Sequence, residues 1–199
     1  MGNNASILNM MRKVGVDADI SLDPTVLKNS KGIILPGVGA FDNGVVKMRD
    51  SGVWDLLNEL VVDHKKPFLG ICLGMQMLFD SSEEGKENGL GWLPGIVKRF
   101  QFSNSGQTNK IPHMGWNSVN ASKGNPLFAD LYDQNRFYFV HSFHVQCYDE
   151  SHSSATTHYG YDFTCSVQKE NIFGVQFHPE KSHRFGMTFF RNFLSLVRC

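Results

Sequence analysis

Pro67-Phe68-Leu69-Gly70-Ile71-Cys72-Leu73-Gly74-Met75-Gln76 is the stretch from which the fold is read. An apolar run of strand length ends on Cys72, and Met75, Leu78 and Phe79 then recur at helical spacing. A strand that turns into a helix at a residue flanked by glycines has the form of a nucleophile elbow, here G-x-C-x-G. Such a turn strains its central residue, and the glycines remove side chains that would clash there. Cys72 would stand at a helix N-terminus, where the macrodipole favours thiolate over thiol. The Leu73 N–H would be free to donate to a developing oxyanion. Alone, the pentapeptide is equally well explained as a buried structural cysteine in a Gly-rich strand end.

The pattern extends outward on both sides. Ile7, Met10, Met11 and Val14 form a helical stripe, with Asn3, Asn4 and Ser6 as candidate caps. A short strand is expected near residues 18–21 and a buried one over 32–35, stopped by Pro36-Gly37. Val53, Leu56, Leu57, Leu60 and Val61 make a second helical stripe ending near His64. Strands are expected over 95–102, 137–140, 163–168 and 171–177, with a closing helix from His183. Residues 80–88 and 103–110 read as exposed loops. Alternating helices and strands predict an α/β fold: an open, largely parallel sheet flanked by helices, with additional antiparallel strands. No repeat, linker or charge block divides residues 1–199, so a single domain is expected.

Composition excludes several classes. The 199 residues are 41% hydrophobic, and 19 Lys plus Arg balance 19 Asp plus Glu. At this length a domain buries about 70% of the surface its unfolded chain exposes. Zero formal charge without a basic cluster argues against nucleic acid or an anionic membrane as partner. No apolar run approaches the ~18 residues of a membrane-spanning helix, and no signal-peptide pattern is present. Cys72, Cys147, Cys165 and Cys199 form no C-x-x-C pair, which reads as reduced thiols in a cytoplasmic protein.

A second motif gives Cys72 a partner. Gly174-Val175-Gln176-Phe177-His178-Pro179-Glu180 is an apolar strand ending in His-Pro-Glu. A thiolate nucleophile needs a base to take and return its proton, and the base needs a group that sets its tautomer. His178 and Glu180 supply both from one short segment, with Pro179 fixing the intervening φ. Alone, this segment reads more simply as a turn with a solvated acid. Pro36-Gly37-Val38-Gly39 also follows a strand, so it would share the sheet's carboxyl edge, where ligands bind in open α/β sheets. Its glycines would let backbone N–H groups near Val38 or Gly39 supply a second oxyanion donor. The plain alternative is a tight turn.

Together these three motifs resemble the signatures of the class I, triad-type glutamine amidotransferases. Further stretches are similar to the glutaminase subunits of imidazole glycerol phosphate synthases: Gly2-Asn3, Pro112-His113-Met114-Gly115-Trp116-Asn117, Tyr138-Phe139-Val140-His141-Ser142-Phe143 and Phe177-His178-Pro179-Glu180-Lys181-Ser182. The resemblance covers essentially the whole chain, in order. It implies that Cys72 attacks the side-chain amide of L-glutamine, that His178 is base and then acid, and that Glu180 orients it. It implies Val38, Gly39 and Leu73 as oxyanion donors, and Gly37, Gln76, His141, Ser142 and Phe143 around the glutamine. It also implies a heterodimer with a (β/α)₈-barrel cyclase that receives the ammonia, with His113, Trp116, Asn117, Tyr138 and Lys181 facing that partner. No cofactor and no metal are expected.

Two departures and two rivals accompany the resemblance. The family opens with a strand of the type I-x-I-I-D-Y-G ahead of Met-Gly-Asn, and that strand is not in this sequence. A start at a downstream methionine, a truncation or a paralogue lacking the strand would each account for it, and an unpaired sheet edge is expected. After the triad, His183 and Arg184-Phe185-Gly186-Met187 depart from the Gln and Gly-Leu more usual in the histidine-pathway enzymes. They look more like paralogues that supply ammonia to a sugar-amidating synthase in surface-polysaccharide synthesis. Zinc on His141, His144, Cys147 and His178 fits no standard spacing and leaves the elbow unexplained. A non-catalytic scaffold on the same fold would be expected to lack Cys72, His178 or Glu180.

Overall fold

Short apolar runs stopped by Gly and Pro pair into a sheet, and the helical stripes cover its faces. The computed structural model describes residues 4–102, 109–131 and 135–198. The first half holds α1 (Asn4–Lys13), α2 (Pro24–Asn29), β1 (Ile33–Gly37), α3 (Phe41–Asp50), α4 (Trp54–Asn58), β2 (Phe68–Cys72), α5 (Leu73–Gln76), β3 (Ser81–Ser82) and β4 (Gly95–Arg99). The second holds β5 (His113–Ser118), β6 (Asn120–Ala121), β7 (Arg136–His141), β8 (Phe143–Cys147), β9 (Ser153–His158), β10 (Asp162–Lys169), β11 (Ile172–Val175) and α6 (His183–Arg198).

Parallel pairing is concentrated where the site lies. β2 runs between β1 and β11 and parallel to both, with Gly37 opposite Cys72 and Val175 opposite Ile71. The carboxyl ends of all three strands therefore meet at one edge. From β11 the sheet continues antiparallel through β10, β8 and β4, and β3 joins β4 in parallel. β9 also pairs with β10, and β6 with β9. β5 and β7 form a separate antiparallel ribbon, with Trp116 opposite Tyr138. Among the described residues β1 pairs only with β2, so it is an edge strand.

The strand alternation divides the core in two. Leu69, Ile71, Phe173 and Val175 face a cluster closed by α1 and α6; Phe68 and Ile172 face the other, closed by α3 and α4. The first cluster is aromatic. Phe177 is fully buried and stacks on Phe137 at 4.1 Å, with Phe189 edge-on to both. Burial of each such side chain stabilises by about 1.5–3 kcal/mol, so the residue just before His178 is firmly anchored.

Several sequence expectations are refined. Residues 18–21 form no strand: Ala18 and Ile20 alternate with Asp19 and Ser21, but among the described residues no strand pairs with them, and Ile20 is exposed. The stripe from Val53 continues past α4 as a π segment, Glu59–Asp63, which keeps both Leu60 and Val61 buried. The helix after Cys72 ends at Gln76, and Leu78 and Phe79 enter the core from a turn. Asn4 and Ser6 lie within α1 rather than ahead of it. The expected loop over 80–88 contains the two residues of β3. Asn3, Cys199 and positions 103–108 of the second expected loop lie outside the described residues. Among the described residues no helix is long and apolar enough to cross a membrane.

Candidate active site

The elbow at Cys72 forms because its neighbours leave no alternative. A Cβ on Gly74 would stand 1.9 Å from the Leu35 carbonyl oxygen, and one on Gly70 would stand 2.5 Å from that of Gly74. Only glycine lets the helix start this close beneath β1. Cys72 takes φ +56° and ψ −111°, a conformation that costs an ordinary residue about 1–3 kcal/mol. The strained turn carries a side chain that is 7% exposed. α5 spans four residues, so its dipole is a small fraction of the one the sequence suggests.

His178 arrives from β11. Its backbone N–H donates to the Tyr138 carbonyl at 2.8 Å, and the Ser182 hydroxyl donates to the His178 carbonyl at 2.7 Å. Pro179 opens a single 3-10 turn, Pro179–Lys181, that folds Glu180 back onto its own histidine. His178 Nδ1 donates to Glu180 Oε1 at 2.7 Å, with both side chains almost wholly buried. The bond fixes the tautomer and leaves Nε2 as the working nitrogen. Nε2 is buried and among the described residues has no aligned hydrogen-bond partner. Burial alone would lower the His178 pKa, but the adjacent Cys72 and the Glu180 carboxylate outweigh it and raise the value to about 9. Cys72 and His178 are thus coupled by hydrogen bonding as well as by charge, although the Nε2–Sγ contact is not ideally aligned.

A polar chain runs away from the nucleophile. Gln176 Nε2 donates to Cys72 Sγ at 3.6 Å, and Gln176 Oε1 accepts from Gln76 Nε2 at 3.0 Å. Gln76 Nε2 also donates to the Phe143 carbonyl at 3.2 Å, which takes a second bond from His141 Nδ1 at 2.7 Å. With Nδ1 of His141 donating, its Nε2 accepts from His113 Nδ1 at 3.1 Å, and His113 Nε2 accepts from Asn117 Nδ2 at 3.3 Å. Burial lowers the His113 pKa to about 4 and the His141 pKa to about 3. Both imidazoles are therefore neutral at ordinary pH, as the chain of donors requires.

The residues singled out in the sequence fall into two groups. Gly37, Leu73, Gln76, His141 and Phe143 surround Cys72 or join its hydrogen-bond chain, and Ser142 forms the bend between β7 and β8. Val38 and Gly39 follow β1 at the same edge; Gly39 has φ +101°, and their amides donate to no group among the described residues. On the outer face of the β5–β7 ribbon, Met114 and Trp116 are exposed, and Trp116 lies edge-on to Tyr138. Lys181 Nζ stands 5.5 Å over the Tyr138 ring, and His183 stacks flat on Trp116.

His113 and Asn117 occupy the ribbon's inward positions instead. His113 is 3% exposed and lies between the rings of Phe139 and Tyr159, so it has no open surface to offer a partner. Asn117 is half-buried, and its Nδ2 donates to the His158 carbonyl at 2.8 Å. His144 is likewise engaged, with Nε2 on the Tyr161 hydroxyl at 2.8 Å. The sequence reading passed over Gln176; the signal was a single polar side chain in an apolar strand, two residues before His178.

A thiol on a strained strand-to-helix turn, beside a carboxylate-oriented imidazole, is an arrangement suited to thiol acyl transfer. The family model for glutamine amidotransferase class-I matches residues 1–196, and the chain belongs to that family. Within it, the chain is 50% identical over 194 residues to imidazole glycerol phosphate synthase subunit HisH 2 of Methanococcus maripaludis, covering 98% of this chain and 95% of that protein. It is 45% identical over 196 residues to subunit HisH of Leptospira borgpetersenii, covering 98% and 96%. For subunit HisH 2 of Pseudomonas aeruginosa the identity is 46% over 197 residues, covering 99% and 96%. Among solved structures, a crystal structure of glutamine amidotransferase superposes with TM-score 0.75 at 18% identity, covering 100% of this chain and 95% of that one. PurLQS from Thermotoga maritima superposes with TM-score 0.68, also at 18% identity, covering 98% and 94%. These two likenesses concern the fold alone.

Proposed function

We propose that this chain is the glutaminase subunit of an imidazole glycerol phosphate synthase, a single-domain cytoplasmic protein of histidine biosynthesis. It hydrolyses L-glutamine to glutamate and passes the ammonia to a (β/α)₈-barrel cyclase. The observation that carries the reading is the convergence of the Cys72 elbow with the buried His178–Glu180 pair at one sheet edge. Near-full-length identity to HisH subunits supports this acceptor over sugar amidation.

Cys72 Sγ attacks the side-chain carbonyl carbon of glutamine, and the carbonyl oxygen becomes an oxyanion. Donors for that oxygen are the Leu73 N–H and the turn at Val38 and Gly39, whose amides are uncommitted. The C–N bond then breaks. His178 Nε2, protonated in its raised-pKa state, gives its proton to the leaving nitrogen, and ammonia departs from a thioester. The neutral imidazole next takes a proton from water, whose oxygen attacks the thioester; glutamate leaves and the thiolate returns.

Both hydrogens of Gln76 Nε2 are committed to Phe143 and Gln176. Gln76 therefore offers its Oε1 to substrate, as an acceptor for the glutamine amide. The surface of exposed Met114, Trp116 and Lys181 around the half-buried Tyr138 adjoins the His178 segment and suits a large partner. The acceptor is tested by assaying imidazole glycerol phosphate formation by the barrel cyclase. The expected result is that glutamine supports the reaction only when this chain is added, while free ammonia supports it without. Glutamine-independent behaviour of the mixture would contradict the assignment.

A further inference from the structure

Gln176 is 0% exposed, and its side-chain amide has one face on the nucleophile. We propose that Gln176 acts directly on Cys72: its side-chain N–H holds Sγ in place and stabilises the thiolate, an inference that rests on the glutamine-hydrolysing reading above.

The amide's orientation is set by groups that have no choice of role. The Phe143 carbonyl can only accept, so the end of Gln76 that meets it is the NH₂. That same nitrogen donates to Gln176, so the atom of Gln176 facing it is the carbonyl Oε1. Its NH₂ therefore points at Cys72 Sγ. His141 Nδ1 donates to the same Phe143 carbonyl and fixes it from the other side.

The nucleophile needs such a donor. α5 is too short for a substantial dipole, and the contact of His178 Nε2 with Sγ falls short of aligned hydrogen-bond geometry. A hydrogen bond to an ionised sulfur is charge-assisted and stronger than one between neutral groups. Division of labour follows: Gln176 holds the anion while His178 keeps its proton free for the departing ammonia. A fully buried amide between two polar atoms is otherwise expensive to retain, because an apolar residue of the same shape would fill the site without desolvating a polar group.

The test compares Gln176→Glu, which keeps the shape but replaces the donor with an acceptor, and Gln176→Met, which fills the volume without a donor. Both are made in a Cys199→Ser background. Burial, with Asp149 adding to it, pushes the Cys147 thiol up to about 11, and burial pushes Cys165 up as well, so alkylation reports Cys72. Iodoacetamide rates are measured from about pH 5 to about pH 10, with thermal melting, kcat and KM for glutamine alongside. The expected result is an alkylation midpoint raised by about one pH unit in Gln176→Met and by more in Gln176→Glu, with kcat about 10-fold down and KM within about 2-fold.

An unchanged midpoint in folded variants would overturn the proposal, even if kcat fell in step with thermal stability. If Gln176→Met does not fold, the isosteric Gln176→Glu gives the answer. Wild-type chain that releases no glutamate beside the cyclase would sink the glutaminase reading, while the alkylation midpoints would still decide the role of Gln176.

Discussion

Tyr138 and His178 are joined backbone to backbone: the His178 N–H donates to the Tyr138 carbonyl at 2.8 Å. Tyr138 turns its ring outward, beneath Lys181 and beside Trp116, while its peptide group holds the histidine opposite the nucleophile. The exposed face and the reacting imidazole are therefore separated by one residue pair. Under the proposed function, a synthase docked on the β5–β7 ribbon and shifting it would move His178 with it, which gives a physical route for the partner to govern glutamine hydrolysis.

Ser182 completes that pairing. Its hydroxyl accepts from the Tyr138 N–H at 3.1 Å and donates to the His178 carbonyl at 2.7 Å, fully buried. Ser182→Ala leaves the Tyr138 N–H without its acceptor, while the His178 carbonyl keeps only the Lys181 N–H at 3.0 Å. The expected cost is about 1–3 kcal/mol of stability, and displacement of His178 lowers kcat by about 10-fold or more. Chemical denaturation and steady-state kinetics of the complex check the two effects separately.

The state of His178 predicts a pH signature. Its folded pKa is raised from 6.5 to about 9: burial opposes the charge, but Cys72 and Glu180 favour it more strongly. A group raised on folding stabilises fully below its unfolded value and loses that contribution as pH rises through the folded one. Thermal stability is therefore expected to decline between pH 6.5 and about 9. Proton NMR of the His178 ring should give a midpoint near the upper value. In Cys72→Ala one of the raising groups is gone, so the midpoint should fall and the stability profile should flatten.

Gly74 gives a purely steric prediction. A methyl group there would meet the Leu35 carbonyl oxygen at 1.9 Å, a backbone atom that cannot swing aside. Gly74→Ala has to push α5 away from β1, and the elbow with it. The expected loss is about 3 kcal/mol or more, in the range of severe core overpacking. Denaturant titration measures it, and Gly115→Ala, where an added Cβ meets nothing within 4 Å but φ is +133°, serves as the comparison that carries backbone strain without the clash.

What was legible in the sequence was what local chemistry fixes. Gly70 and Gly74 announce the elbow because a close backbone approach demands glycine on both sides of Cys72. His178 and Glu180 are two residues apart, so one turn brings them together without reference to the rest of the chain. Gln176 stands out only as a polar residue in an apolar run, and its partners were not legible, because Cys72 and Gln76 are 104 and 100 positions away and only the register of β2 against β11 unites them. Motif position suggested a surface role for His113, but a strand's inward side is set by what packs against it, here Phe139 and Tyr159. Residues 18–21 carry a strand-like alternation and lack only a strand to pair with.

The most direct test of the account is glutamate release from glutamine, measured for the wild-type chain and for Cys72→Ala, each with and without the barrel cyclase and its ribonucleotide ligand. The account predicts release that the cyclase stimulates strongly and that Cys72→Ala abolishes. Release that persists in Cys72→Ala, or its absence from the wild-type complex, would contradict the assignment of Cys72, His178 and Glu180 as a glutamine-hydrolysing centre.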